Sequence, residues 1–517
     1  MSGTANTMNA AGAVQRGPFA HLARDFTASV VVFLVAMPLC MGIAIASGVP
    51  AEMGLVTGII GGLVVGSLAG SPLQVSGPAA GLAVIVFEFV NQYGLAALFP
   101  VLVLVGAIQF AAGALKLGGV FRVISPAVVH GMLAGIGALI VLGQFHILFD
   151  ARPLSSGLQN LAAIPGRITG ISLDNPSQSE LAIVLGLITM VVMVGWEKLR
   201  PARLALVPGA LLGVAAATLL AFALKLDVTR VAVPESIAAA FRMPGADLFA
   251  PLADTALLPG LLISAVAMAF IASAETLLSA AAVDRMHDGE RTEYNKELRA
   301  QGVGNLLCGL FGGLPMTGVI VRSSANVQAG ARTRISTILH GAWILGFVAL
   351  LPWLLREIPM AALGGVLVVT GWRLVKIDDV KHLLHQYGPL PAAIWAITFA
   401  LVVSTDLLTG VLAGLALSLV ELVPHRRGLN LKVAREHEGE ATELKLEGAA
   451  TFLGLVRLNS ALDTIPDHHD VKLDLRSVHG IDHTTAQTLR EWLSRRRSNG
   501  RQVELAGHSD VLKPLHA

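Results

Sequence analysis

The chain of 517 residues is 54% hydrophobic and 14% charged, with a mean hydropathy of +0.69. A soluble domain carries ~25% charged residues, so this composition excludes a cytosolic enzyme, a nucleic-acid binder and a disordered protein. The formal charge of +2 gives no pull toward an acidic partner, and Cys40 and Cys308, both in apolar runs, cannot build a disulfide framework or a metal site.

Residues 1–25 read as a polar, small-residue leader without the pattern of a signal peptide. Apolar runs suited to bilayer helices, which need ~20 residues, follow near 26–47, 52–69, 74–90, 96–114, 121–148, 180–196 and 204–224. A second set lies near 256–280, 296–312, 315–328, 335–355, 358–375, 390–404 and 407–423. The third and tenth runs are too short and too interrupted to cross alone. Loops expected inside carry fourteen Lys and Arg, including Lys116, Lys198, Arg299 and Lys381, against six outside, including Arg152 and Arg230. This excess predicts cytoplasmic termini.

Seven runs per set is an odd number, so the second set enters the membrane in the opposite sense. At matching places stand Ser76-Gly77-Pro78-Ala79-Ala80-Gly81 and Gly313-Leu314-Pro315-Met316-Thr317-Gly318. Each is a Gly/Pro break followed by a short apolar helix. Paired broken helices in an inverted repeat mark the binding site of a secondary transporter. Two helix N-termini directed at one point favour an anion. The expected anion wall is Gly77, Pro78, Ala79 and Ala80 with Pro315, Met316, Thr317 and Gly318, flanked by Pro38, which interrupts the first run.

Glu275 lies deep in the eighth run, with Thr276 and Ser279 beside it. A carboxylate at bilayer depth costs ~2.5–3.5 kcal/mol, so it faces the protein interior, where it can take a proton or counter a cation. Arg322 follows the second break by one or two turns. Spacing alone leaves it three roles: binding the anion, pairing with Glu275, or reaching the membrane surface. Gln109, Gln144 and His146 are expected to bond between helices, and Glu88 to sit at the interface.

Residues 424–517 hold 27 of the 72 charged residues. The expected organisation is a leader over 1–25, a membrane domain over 26–423, a linker over 424–439 and a soluble α/β domain over 440–517. In that domain Thr442–Glu447, Val471–Arg476 and Gln502–Leu505 read as strands, and Thr484–Arg497 and Asp510–Leu515 as helices.

At these residues the chain resembles the sulfate permease family, the bacterial relatives of solute carrier family twenty-six. The resemblance rests on Ile271–Asp284, Asn295–Leu298 through Gly302–Asn305, Gly309–Gly313, Ser323–Asn326 and Gly330–Thr333, with Gly131–Gln144 and Ser76–Gly81. The tail resembles the sulfate-transporter-and-anti-sigma-antagonist (STAS) domain through Val471–Leu475 and Gly480-Ile481-Asp482. The resemblance implies a mainly α fold of fourteen segments in a 7+7 inverted repeat, divided into core and gate subdomains. It places an anion between the third and tenth helices, walled by the first and eighth, in a homodimer. It puts Glu275 where cation-coupled members carry an acidic residue, and Arg322 near the anion. Asp482-His483-Thr484-Thr485 departs from the usual Asp-Ser-Ser/Thr-Gly, with Thr484 at the phosphorylatable position.

The expectation is an inner-membrane symporter of a small anion (sulfate, bicarbonate or a dicarboxylate), embedded in lipid, with a proton as coupling ion and no organic cofactor. Sodium-coupled bicarbonate uptake and an uncoupled exchanger or channel are the alternatives. A cytoplasmic protein partner for the STAS domain is a further expectation. No nucleophile–base set is present to support an enzyme.

Overall fold

The computed structural model describes residues 21–516 apart from 122–124, 155, 171–177, 205, 234–239, 243, 246, 285, 288, 421–430, 439–440, 467–468 and 499–500. Most of the leader, Arg122, Arg285 and the join at Pro424–Arg427 lie outside the described residues. Every apolar run contains a helix. The first set gives α1 (Leu22–Ala46), α2 (Ala51–Leu68), strand β1 (Ser76–Pro78) leading into α3 (Ala80–Tyr93), α4 (Leu95–Ala114), α5 (Pro126–Leu148), α6 (Gln178–Leu199) and α7 (Gly209–Ala223). The second gives α8 (Leu258–Asp284), α9 (Tyr294–Phe311), β2 (Met316–Gly318) leading into α10 (Ile320–Gln328), α11 (Ile335–Leu350) and α12 (Met360–Leu374). A short amphipathic helix, α13 (Ile377–Tyr387), then precedes α14 (Pro389–Ser404) and α15 (Leu407–Val420). Among the described residues, six helices are long and apolar enough to cross a membrane, and α3, α7, α11, α12, α14 and α15 are shorter apolar helices.

The helices sort into two packed groups. In one, α1, α2, α4, α8, α9 and α11 surround the β1–β2 pair; in the other, α5 packs on α12 and α14, and α6 on α7 and α12. This matches the division into core and gate that the resemblance implies. Small residues set the closest approach, as membrane helix packing requires. A Cβ added at Gly106 of α4 would stand 2.4 Å from Leu306 N, and one at Gly302 of α9 would stand 2.5 Å from Phe110 N.

The two breaks differ from expectation in one respect. Both are extended, and they pair with each other antiparallel: Ser76 with Gly318, Gly77 with Thr317, Pro78 with Met316. The second short helix therefore starts at Ile320, five residues after Pro315, because β2 lies in this ladder and cannot coil.

The C-terminal domain holds β3 (Lys432–Glu438), β4 (Ala441–Ala450), α16 (Leu455–Asp463), β5 (Asp470–Ile481), α17 (His483–Ser498), β6 (Val503–Gly507) and α18 (Ser509–His516). Its sheet runs β3-β4-β5-β6, with β3 antiparallel to β4 and the remaining pairs parallel. Leu444, Leu446, Leu473, Leu475, Leu458 and Leu489 form its buried core. The expected linker over 424–439 is corrected here: residues 432–438 are an edge strand, so the sheet begins before residue 440. The domain rests on the membrane domain through α17. His483 Nε2 lies 3.2 Å from Ser125 Oγ, the Arg490 guanidinium stacks 5.2 Å over the Tyr387 ring, and Arg490 also bonds Gln386. Truncation after Pro424 uncovers this face of α13 but removes nothing from the β1–β2 region. We expect the truncated protein to bind anion and to lose thermal stability; a folded truncation that binds none would contradict this.

Candidate anion site at the paired helix breaks

The site is built on the two three-residue strands. Val319 N donates to Val75 O at 2.9 Å, so the alternation of an antiparallel ladder makes Gly77 and Thr317 the next hydrogen-bonded pair. Met316 N donates to Asn305 Oδ1 at 2.7 Å, and Gly318 N to Thr276 Oγ1 at 3.2 Å. The amides of Met316 and Gly318 are therefore bonded within the scaffold, and the ladder takes that of Thr317. The orphan N–H groups are those of the first helical turns, beginning at Ala80 on α3 and Ile320 on α10. Ala79 and Val319, the capping residues, are extended, and neither supplies a side-chain cap. Those donors are left for a ligand. Pro78, with no N–H, closes β1 without adding a donor.

Ladder partners point to the same side. On one side Gly77 and Thr317 face Arg322. A Cβ at Gly77 would stand 2.1 Å from Arg322 Nη1, so the absence of a side chain at Gly77 makes room for the guanidinium. Arg322 is 0% exposed. Its Nη2 lies 3.5 Å from Pro78 O, while Nε and Nη1 have no partner. Cys40 of α1, two residues beyond Pro38, lies beside it. Burial rules out a surface role for Arg322, and among the described residues no carboxylate pairs with it. A buried cation left this way is costly unless an anion compensates it. Thr317 Oγ1 is buried and lies 3.3 Å from the carbonyl of Gly318.

On the other side stand α8 and α9. Gln74 Nε2 donates to Thr276 O at 2.9 Å, so Thr276 ties α8 to both the approach to β1 and the end of β2. Glu275, the preceding residue, reaches across to α3. A Cβ at Gly81 would fall 1.5 Å from its Oε1. Its carboxylate thus lies against the first turn of α3, one residue beyond Ala80. Ser279 is buried one turn further along α8. The fold brings together both breaks, Arg322, Glu275 and Thr276, with α1 packed alongside β1. Glu88 lies two turns along α3 and lines a cavity of about 390 Å³ with Gln92, Ser264 and Asp406. Gln109 does bond between helices, to Ser273 Oγ at 3.2 Å. His146 lies 3.1 Å from the carbonyl of Asn160, which belongs to a short helix over Gly157–Thr169.

Sequence reasoning missed the α9 residues that hold this site. Glu297, Gln301 and Asn305 recur every fourth position, all 0% exposed. Their signal was three polar residues at four-residue spacing on one face of a helix whose C-terminal half is otherwise apolar.

A repeated bundle whose two broken helices meet at a buried arginine and a nearby carboxylate defines a multi-pass membrane transporter of small anions. The chain matches the sulfate permease family over residues 22–398 and a STAS domain, described as Mlab, over 433–516. It belongs to the sulfate permease family, whose members are transporters and not enzymes. It is 28% identical to the putative sulfate transporter YvdB of Bacillus subtilis, over 95% of this chain and 93% of that one. It is 25% identical to the bicarbonate transporter BicA of Synechocystis, over 96% and 90%. Among solved structures, the transmembrane domain of a cyanobacterial BicA matches with a TM-score of 0.66 at 25% identity, covering 77% of this chain and 98% of that one. SLC26A9 matches with a TM-score of 0.68 over 96% and 86%. At 15% identity, this second likeness shows the fold alone.

Proposed function

We propose that the protein is a secondary active symporter that binds a small anion at the first turns of α3 and α10 and carries a proton on Glu275. The observation that carries this reading is Arg322: a fully buried guanidinium with two unpartnered nitrogens, set where two helix N-termini add roughly half a positive charge each. A bound anion completes that charge arrangement. The geometry of Glu275 supports the coupling role, since it is the carboxylate that lies against the start of α3 and it can switch between neutral and charged forms. Sulfate, bicarbonate and dicarboxylates all fit a site that reads charge through backbone donors. The excess of Lys and Arg on one set of loops supports an inner-membrane orientation with both termini in the cytoplasm. A homodimer with a protein partner at the STAS domain completes the reading. Sodium-coupled bicarbonate uptake is the second reading; similarity to the bicarbonate transporter BicA over nearly the whole chain favours its substrate.

The test removes one donor at a time. Ile320 and Ala80 are the first helical residues after extended caps, the position where proline is accepted and its missing N–H costs the helix nothing. Ile320→Pro and Ala80→Pro each delete one N–H. Losing one hydrogen bond to a charged ligand costs ~1.5–3 kcal/mol, so we expect each to weaken anion binding by roughly tenfold or more. Titration of the purified protein with bicarbonate and with sulfate measures this. Parent-like dissociation constants in both variants would remove the site from the helix ends. Uptake into proteoliposomes under separate proton and sodium gradients distinguishes the two coupling readings, and uptake indifferent to both indicates an uncoupled exchanger.

A further inference from the structure

Both strands at the anion site hang from one helix. Along α9, Glu297, Gln301 and Asn305 form a polar stripe at four-residue spacing, and every member reaches a different part of the two breaks. Glu297 Oε2 accepts from Ser71 N at 2.9 Å, fixing the chain that leads into β1. Gln301 Nε2 donates to Glu297 Oε1 at 3.0 Å and to Ser76 Oγ at 2.6 Å, on β1 itself. Asn305 accepts from Met316 N at 2.7 Å and donates to Met316 O at 3.1 Å, holding both backbone groups of the first residue of β2. It also donates to Gln109 Oε1 at 2.6 Å, which ties the stripe to α4.

Three-residue strands share too few ladder bonds to hold their own register. The stripe supplies what the ladder lacks. α9 is rigidly seated, because Gly302 and Gly309 bring its backbone against that of α4. The stripe bonds both to itself and to both strands, so it favours one arrangement of them, and within it Gln301 Oε1 is buried without a partner. We propose that Gln301 and Asn305 are positioning residues of the anion site: by clamping Ser76 and Met316 to one helix, they set how the first turns of α3 and α10 are aimed. Neither residue needs to touch the anion. The inference rests on the reading that the anion binds at those turns.

The experiment compares Asn305→Leu and Gln301→Leu in the full chain, with Thr189→Val as control. Thr189 is equally buried but bonds Leu185 O and Gly213 O, between α6 and α7, away from the strands. All three lose a buried hydrogen bond, so all three should melt lower than the parent. Bicarbonate and sulfate titrations separate them. Asn305→Leu and Gln301→Leu are expected to raise the dissociation constant by roughly tenfold, the loss of about one well-placed bond to a charged group, while Thr189→Val leaves it within twofold. A parent-like constant in folded Asn305→Leu and Gln301→Leu overturns the proposal. If Asn305→Leu yields no folded protein, Gln301→Leu carries the comparison alone. Ile320→Pro, run in parallel, keeps the two readings apart. Weakened binding there with unchanged binding in the α9 variants defeats only the positioning role, whereas unchanged binding in both Ile320→Pro and Ala80→Pro defeats the anion site beneath it.

Discussion

Glu275→Gln is expected to abolish anion accumulation driven by a proton gradient while leaving the protein folded and able to bind. Gln copies the size and the neutral form of the side chain but cannot release and regain a proton. Among the described residues no cation pairs with Glu275, so the substitution orphans no buried charge and stability should change little. For one proton carried per monovalent anion, each pH unit across the membrane is worth about 1.4 kcal/mol, or a tenfold concentration ratio. Proteoliposomes holding the parent should approach that ratio, and those holding the variant should stop at equal concentrations. Tenfold accumulation by Glu275→Gln would take the coupling role away from this residue.

Gly302→Val should have the largest effect on stability. Its Cβ would meet Phe110 N at 2.5 Å and the carbonyl of Gly106 at 2.8 Å. These are backbone atoms of α4, which cannot swing aside as a flexible side-chain tip can. The helices must separate, and overpacking of this sort costs ~1–3 kcal/mol or more. Separation also drags Gln301 and Asn305 away from the strands they hold. We expect most of the Gly302→Val protein to be lost as aggregate on size-exclusion chromatography. Gly195→Ala is the matched control: nothing lies within 4 Å of a Cβ there, a little over one turn before the end of α6. Alanine in a helix gains ~0.5–1 kcal/mol over glycine, so this variant should run and melt like the parent or better. A folded, monodisperse Gly302→Val would show that the α4–α9 contact is not tight.

The parts of this fold that were legible in the sequence are those with a long-range pattern. Apolar runs gave the helices, the change in charge density gave the second domain, and Gly/Pro breaks at matching places gave the two short helices. Glu275 stood out because a carboxylate in an apolar run is expensive. The pairing of β1 with β2 was not legible, since three residues carry no period of two and their partner lies more than 200 positions away. Nor did any local pattern show that Asn305, the ladder and Thr276 occupy the amides of Met316, Thr317 and Gly318. β3 was hidden for a different reason. Lys432-Val433-Ala434-Arg435-Glu436-His437-Glu438 is an edge strand whose charges discourage pairing with another chain, and charge of that density reads as linker. The role of Arg322 needed the fold, because spacing could not say whether its guanidinium ended in water, at Glu275 or behind Gly77.

The seating of α17 on the membrane domain makes two events compete. His483 and Arg490 occupy Ser125 and Tyr387 with the same face of α17, and the Thr484 hydroxyl beside them is buried. A protein that grips that face must first displace the membrane domain, so its apparent affinity falls by the equilibrium constant for docking. The exchange is reciprocal: the factor by which docking weakens such a partner is the factor by which the partner weakens docking. Ser125 immediately precedes α5 and Tyr387 ends α13, just before α14. Occupancy of α17 by an outside protein would thus be read at the ends of two packed helices, α5 and α14, with no ligand needing to enter the bilayer.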